Sequence, residues 1–455
     1  MYKAYITTLK NVRKHPNADR LLLGDCFGNT VCVSLDYKED QLGIYFPCDG
    51  QLSVTFAEMN NLLRKKDDAG NQVGGYMDPD KRNVTAIRLR GEKSDGLFLP
   101  ISALDYCYPK DGAAAHLKAG DVIDGLVNGY EICCKYIPRT NVRRGTVTEG
   151  NRTRKKKVAT APLFKEHADT EQLAYNLAAF KVGDEIEITL KMHGTSQRTG
   201  YLPTLKGYKR SLWEKLTRKE GTPIYDWGYV SGTRRVVLDS YDGGFYGSNE
   251  FREQHSKAFE GKLAKGETVY YEVVGFQTSG APIMGSGDNK KLNDKNFIKQ
   301  YGEKTVFSYG CNDGESDIYV YRMTMTNEDG EIVEYTPDFM RYRCEQMGIK
   351  TVPVFGKAII SADRLHFVAP DGYDHDYLIG DGTVGDMVMK VAEEFYDGAD
   401  PVGKTHVREG VVVRIINRPK FAAYKAKNFS FKCLEGLVKA EAAAPDMEEA
   451  QEIAE

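Results

Sequence analysis

Between Arg139 and Lys157 the chain carries eight basic residues against one acid, Glu149, with two glycines (Gly145, Gly150) and few apolar side chains. Such a stretch has too little apolar surface to offset the entropy lost on ordering it in a core. It therefore marks a domain boundary within the 455 residues, each side having to build a core of its own. Before it, short apolar or alternating runs recur between turn signals: Leu21–Leu23, Val31–Val33, Gly43–Phe46, Thr85–Leu89 and Gly96–Leu99. Gly28-Asn29 suits a tight hairpin between two of them. Roughly five short strands in this length predict a small barrel of the OB type. After the boundary, strands mix with helices. Thr336 as N-cap and Pro337 at the first helical position start a helix through Met347. Val384, Met387, Val388, Val391, Ala392 and Phe395 share one face of a second, which ends at Gly398 before Pro401. Strands are predicted at Thr268–Phe276, Thr305–Gly310, Asp317–Thr324, Val352–Ile360 and Gly410–Ile416.

The net charge of −3 conceals a division along the chain. Residues 435–455 hold seven acids and one lysine, a local −6, which leaves +3 for the rest. Between Tyr201 and Glu220, Lys206, Lys209, Arg210, Lys215, Arg218 and Lys219 are interleaved with Tyr201, Tyr208 and Trp213. Cations with aromatics between them suit a phosphate backbone with bases or sugars to pack on. A solvated, charge-rich loop is the competing reading of this segment. No apolar stretch approaches the ~18 residues needed to span a membrane, and Met1-Tyr2-Lys3-Ala4-Tyr5 lacks the apolar core of a secretion signal. Nine scattered cysteines without a CxxC pair point to reduced thiols in a cytoplasmic compartment.

The chemistry begins where the strand-like run Glu185–Leu190 meets Lys191-Met192-His193-Gly194-Thr195-Ser196. A lysine is nucleophilic only when neutral, and in water its pKa is about 10.4. A strand end close to other cations lowers that value. Further signals follow in order. Ser231-Gly232-Thr233-Arg234-Arg235 offers two cations, and Val269-Tyr270-Tyr271-Glu272-Val273-Val274 places a carboxylate inside an apolar strand. Ile318-Tyr319-Val320-Tyr321-Arg322-Met323 is an aromatic strand. Arg408-Glu409-Gly410-Val411-Val412-Val413 repeats the carboxylate-before-strand arrangement. In Tyr424-Lys425-Ala426-Lys427 two lysines lie two apart, on one face of a strand. Taken singly, a strand glutamate or a Lys-x-Lys is more often an ion-pair partner or a solvated face. Their order carries the signal.

That order resembles motifs I, Ia, III, IIIa, IV and V of the covalent nucleotidyltransferase superfamily of ligases and capping enzymes. With an OB-like domain placed first, the chain is similar to the Deinococcus- and Naegleria-type ATP-dependent RNA ligases, viral members included. His15-Pro16-Asn17-Ala18-Asp19-Arg20-Leu21 also resembles the segment that opens the OB domains of tRNA-binding proteins. The expected fold is α+β: an OB-like β-barrel over 1–138, a basic linker over 139–163, a nucleotidyltransferase domain of antiparallel sheets with flanking helices over 164–434, and an acidic tail over 435–455.

The resemblance implies that Lys191 takes AMP from ATP with release of pyrophosphate, and that Lys425 and Lys427 contact the phosphates. It implies nucleotide contacts from Glu272, His193, Gly194 and Arg198. Adenine would stack on Tyr319 or Tyr321, with Phe307 and Tyr309 as further candidates. Glu409, with Glu272, would orient hydrated Mg²⁺ or Mn²⁺, and Arg234 or Arg235 would hold the 5′-phosphate of RNA. The implied substrate is RNA with 3′-hydroxyl and 5′-phosphate ends, as at a nick in a duplex, and the implied enzyme is a monomer. His193 stands where DNA ligases and capping enzymes commonly have aspartate, which favours RNA joining. An inserted hairpin around Gly280–Lys304 is basic (Lys290, Lys291, Lys295, Lys299, Lys304). The rival readings are a GTP-using capping guanylyltransferase and a non-catalytic OB-domain protein that binds RNA or tRNA.

Overall fold

The computed structural model describes residues 2–65, 70, 74–137, 160–168, 170–211, 213, 221–238, 241, 246 and 249–440. The basic run 139–157, Lys215, Arg218, Lys219 and the chain beyond Ala440 lie outside these residues. Two compact units emerge, and neither is continuous in sequence. The first draws on Met1–Arg139, Gly287–Thr305 and Phe429–Ala442, and the second on the remainder.

The first unit is built from short antiparallel strands. Its central sheet orders Leu97–Pro100, Leu42–Phe46, Ala4–Thr8 and Val122–Ile123, with Ile6 facing Ile44. Leu22–Cys26 and Asn29–Val33 form the expected hairpin, turned by Phe27 and Gly28. Both turn residues have positive φ (52° and 75°), the geometry that follows the right-handed twist of paired strands. Among the described residues the strands lie in several small sheets, none of them closed into a barrel. Ile6, Ile44, Phe46, Phe56 and Leu104 fill the core. The remote segments complete this unit. Helix Phe429–Ala440 buries Phe431 and Leu434 and pairs Lys432 with Asp95 at 2.6 Å. The inserted segment holds a two-stranded pair, Gly287–Asp288 with Lys304–Thr305, and helix Lys295–Tyr301.

The second unit contains strands β1 (Glu171–Gln172), β2 (Glu185–Lys191), β3 (Thr195–Lys209), β4 (Thr222–Gly232), β5 (Glu267–Gly275) and β6 (Ser316–Thr326). They are followed by β7 (Ile332–Glu334), β8 (Val354–Ile360), β9 (Arg364–Val368), β10 (Asp374–Leu378), β11 (Gly410–Ile415) and β12 (Ala422–Lys427). One sheet orders β1-β12-β11-β2-β8-β9-β10, antiparallel except for β1 with β12. The other orders β4-β3-β5-β6-β7. The alternation of β2 explains its place. Ile186, Ile188 and Leu190 point one way and are buried, Ile186 and Ile188 packing with Val388 and Val391 of helix Val384–Tyr396. Glu187, Thr189 and Lys191 point the other way. In β5, Val269, Tyr271 and Val273 likewise pack on one side with Phe251, Met340 and Cys344 of helices Glu250–Lys257 and Pro337–Met347. Tyr270 and Glu272 take the opposite side. The two polar faces meet at Glu334, which pairs with Arg322 of β6 and lies 3.8 Å from Arg414 of β11.

Most predicted elements appear within a residue or two of their expected ends. The strand expected over Thr305–Gly310 does not: extended pairing stops at Thr305, and Tyr309 is left-handed at φ 51°. An L-residue in that conformation ends an extended run.

Candidate active site

Lys191 is the last residue of β2, and Met192, His193 and Gly194 carry the chain from one sheet to the other. Across the sheet Lys191 stands opposite Gly410, which stands opposite Lys427. This row places both lysines beside the carboxylate that precedes β11. Glu409 Oε1 lies 2.8 Å from Lys191 Nζ and 3.2 Å from Lys427 Nζ, and Oε2 lies 3.7 Å from His193 Nδ1. The carboxylate is 2% exposed and Lys191 22%. The lysine side chain is thus partly exposed while its counter-charge is enclosed. Gly410 is required here, because a Cβ on it would stand 2.0 Å from Ala426 O and 2.8 Å from Lys427 Cα. Lys425 lies two residues before Lys427 on β12, opposite Val412. Burial, then Lys427 and Lys191, lower its pKa to about 8.

The turn after Lys191 is held from several sides. The His193 N–H donates to Tyr309 Oη at 2.6 Å, and Phe307 packs edge-on against the His193 ring at 4.6 Å. Gly194 lies against Val273 O and the Glu272 side chain. Ser196, Glu272 and Tyr319 form one cross-strand row over β3, β5 and β6. Among the described residues no three His, Cys, Asp or Glu side chains gather as a metal cage.

By sequence the chain matches no described protein family and no curated protein. Its structure matches solved structures of Naegleria gruberi RNA ligase. One is a mutant with ATP and Mn, at TM-score 0.52 and 15% identity, covering 94% of this chain and 98% of that one. Another holds PPi, at TM-score 0.51 and 14% identity, covering 94% and 97%. The fold is that of an RNA ligase. The likeness spans both units, and at this identity it speaks for the fold alone.

Within this RNA ligase fold the remaining predicted residues separate. Arg198 is buried, and its guanidinium donates to Thr233 O, Phe164 O and Arg235 O at 3.0, 3.3 and 3.3 Å. It fixes the segment that carries Arg234 and Arg235. Arg234 is half-buried and one of the charges acting on Lys425, whereas Arg235 is exposed. Tyr319 Oη donates to Asp317 Oδ2 at 3.3 Å, and Tyr321 Oη pairs with Ser196 Oγ at 3.0 Å.

Several site residues escaped the sequence reading. Arg252, fully buried, donates to Ser196 O at 3.1 Å and to Thr195 Oγ1, pinning the start of β3. His167 accepts from Arg322 at 3.1 Å. Burial first, then Arg322, Arg234, Arg198 and Arg414, holds its pKa well below the ordinary histidine value, so the ring stays neutral. Arg322 and Arg414 had a signal: each is a lone charge in an apolar strand, the pattern that singled out Glu272. His167 and Arg252 lie in segments without periodicity that would flag them.

Proposed function

We propose that this protein is an ATP-dependent RNA ligase that joins 3′-hydroxyl to 5′-phosphate ends, as at nicks in duplex RNA. One observation carries the reading: a lysine at a sheet-to-sheet crossover shares one enclosed carboxylate with a second lysine. Lys191 Nζ attacks the α-phosphorus of ATP, the Pα–O bond to the β-phosphate breaks, and pyrophosphate leaves. Glu409 Oε1, at 2.8 Å, is placed to take the amine proton. Lys425 and Lys427 offset the charge that develops on the phosphates. AMP then passes to the 5′-phosphate, for which Arg234 and Arg235 are the cations, and a 3′-hydroxyl displaces AMP to close the strand.

Glu409 and Glu272, with no group of three such side chains among the described residues, suit a Mg²⁺ or Mn²⁺ ion held mainly through water and substrate phosphates. Bound there, the ion would supply further charge compensation. Tyr319, in line with Glu272, and Tyr321 offer the rings for adenine stacking. The OB-like reading of the first unit makes it the duplex-binding part. A cytoplasmic location accords with nine free cysteines, and no described helix is long and apolar enough to cross a membrane.

The test is incubation with Mg²⁺ and ATP or GTP labelled at the α-phosphate, resolved on a denaturing gel, for wild type and Lys191→Ala. Label from ATP alone, lost in the mutant, is the expected result. Label from GTP would turn the reading to a capping guanylyltransferase. No label on protein stripped of bound AMP would leave a non-catalytic RNA-binding protein.

A further inference from the structure

Tyr309 departs from the pattern of its surroundings in three ways. Its backbone is left-handed at φ 51°, which burdens a residue with a Cβ. It is 4% exposed, so its hydroxyl is taken from water, a cost that a hydrogen bond must offset. That hydroxyl accepts from the N–H of His193, two residues after Lys191, at 2.6 Å.

A second loop holds Tyr309 there. Residues 399–407 close on themselves through the Ala399–Val407 bridge, with Asp400 N–H donating to His406 O at 2.8 Å and Gly403 N–H to Asp400 Oδ2 at 2.6 Å. A Cβ on Gly403 would stand 2.5 Å from Gly310 N and 2.8 Å from Tyr309 C, so the two loops touch backbone to backbone. The buried His406 ring packs edge-on against Tyr309 at 4.6 Å and Phe307 at 5.1 Å. Three residues later the same loop delivers Glu409 to Lys191. The connections run in a ring: along the chain from Lys191 to His193, by hydrogen bond to Tyr309, by ring contact to His406, along the chain to Glu409, and by ion pair back to Lys191.

We propose that Tyr309 is a positioning residue for the nucleophile: through the His193 amide it fixes the turn after Lys191, so that the amine meets the α-phosphate in line while paired with Glu409. This rests on the ligase reading and adds to it a residue that touches neither the lysine nor, by this account, the nucleotide base. Strain at a buried residue beside a reacting group is the usual mark of such a role.

The experiment compares two half-reactions of the full-length protein carrying Tyr309→Phe, which removes the acceptor and keeps the ring. The first is single-turnover lysyl-AMP formation across ATP concentrations. The second is sealing of RNA that already carries a 5′-AMP, a step in which no bond to Lys191 forms. The expected result is a fall of about 10–100-fold in the maximal rate of lysyl-AMP formation. Half-saturating ATP and the sealing of adenylylated RNA should remain near wild type. Ser308→Ala, which removes the 3.3 Å contact to Thr405 in the same loop, should leave both intact. Wild-type lysyl-AMP formation by Tyr309→Phe overturns the proposal, as does equal loss of both half-reactions, which would mark a merely structural residue. If Tyr309→Phe does not fold, Gly403→Ala decides, since it displaces the same backbone without removing a hydroxyl and should show the same selective loss. A wild-type protein that takes no label at all would instead overturn the ligase reading itself.

Discussion

Lys425 offers the sharpest quantitative prediction. In an unfolded chain its amine would titrate near 10.5, and in the folded protein burial and the neighbouring Lys427 and Lys191 bring it to about 8. That difference corresponds to about 3 kcal/mol of disfavour toward the charged form. Because the folded value is depressed, the unfolded chain binds the proton more tightly. The destabilisation is fully present below about pH 8 and is relieved as pH rises toward 10.5. On the proposed ligase reading, a bound triphosphate would supply the missing negative charge and return the amine toward its ordinary value. At pH 9 binding should therefore take up about 0.9 proton at this site, against about 0.1 at pH 7, and affinity should fall about tenfold between the two. Titration calorimetry in two buffers of different ionisation enthalpy reads the uptake directly. The ligand should be an ATP analogue with an α,β-methylene bridge, which cannot transfer AMP. Lys425→Arg keeps its charge across this range and should lose both the uptake and the alkaline fall in affinity. Equal proton uptake by wild type and Lys425→Arg would refute the reasoning.

Other consequences are as direct. Glu409→Gln removes the counter-charge shared by Lys191 and Lys427; it should cost up to about 3 kcal/mol in urea unfolding and abolish lysyl-AMP formation, and unchanged stability would count against the shared pair. Gly410→Ala should cost about 2 kcal/mol or more, since its Cβ would stand 2.0 Å from Ala426 O; a mutant with the wild-type denaturation midpoint would show that this row can open freely. Ending the chain after Asn428 removes Phe431 and Leu434, each at most 1% exposed, and the Lys432–Asp95 pair. At roughly 1.5–3 kcal/mol for each buried apolar side chain, the first unit should melt well below the full-length protein in calorimetry, and an unchanged melting profile would remove the helix from its core.

Much of the Lys191–Glu409–Lys427 cluster was legible because its parts are local. Lys191 ends a run whose alternation is visible as Ile186, Ile188 and Leu190 against Glu187 and Thr189. Glu409 and Lys427 announce themselves as charges bordering apolar strands. The helix over Pro337–Met347 was readable from its cap and its proline. Strand Ala4–Thr8, central to the first sheet, was not, because Ala-Tyr-Ile-Thr-Thr has neither a bounded apolar run nor clean alternation. The long hairpin of β3 and β4 was also missed: its register is set by pairing from Arg198 with Gly232 out to Lys209 with Thr222 rather than by an apolar pattern.

Sequence alone, then, determined the order of the charged groups and the strands that carry them, because strand periodicity and the exclusion of unpaired charge from a core act over a few residues. Tertiary structure decided which of those charges meet and what holds them. Arg198 turned out to brace the Arg234–Arg235 segment through backbone carbonyls. Tyr309, from a stretch that reads as a strand, turned out to lie left-handed beneath His193. Phe429–Ala440 and Gly287–Thr305 joined the first unit from far along the chain. Each depends on partners distant in sequence, and a hydrogen bond to a backbone group leaves no mark on the identity of the residue that provides it.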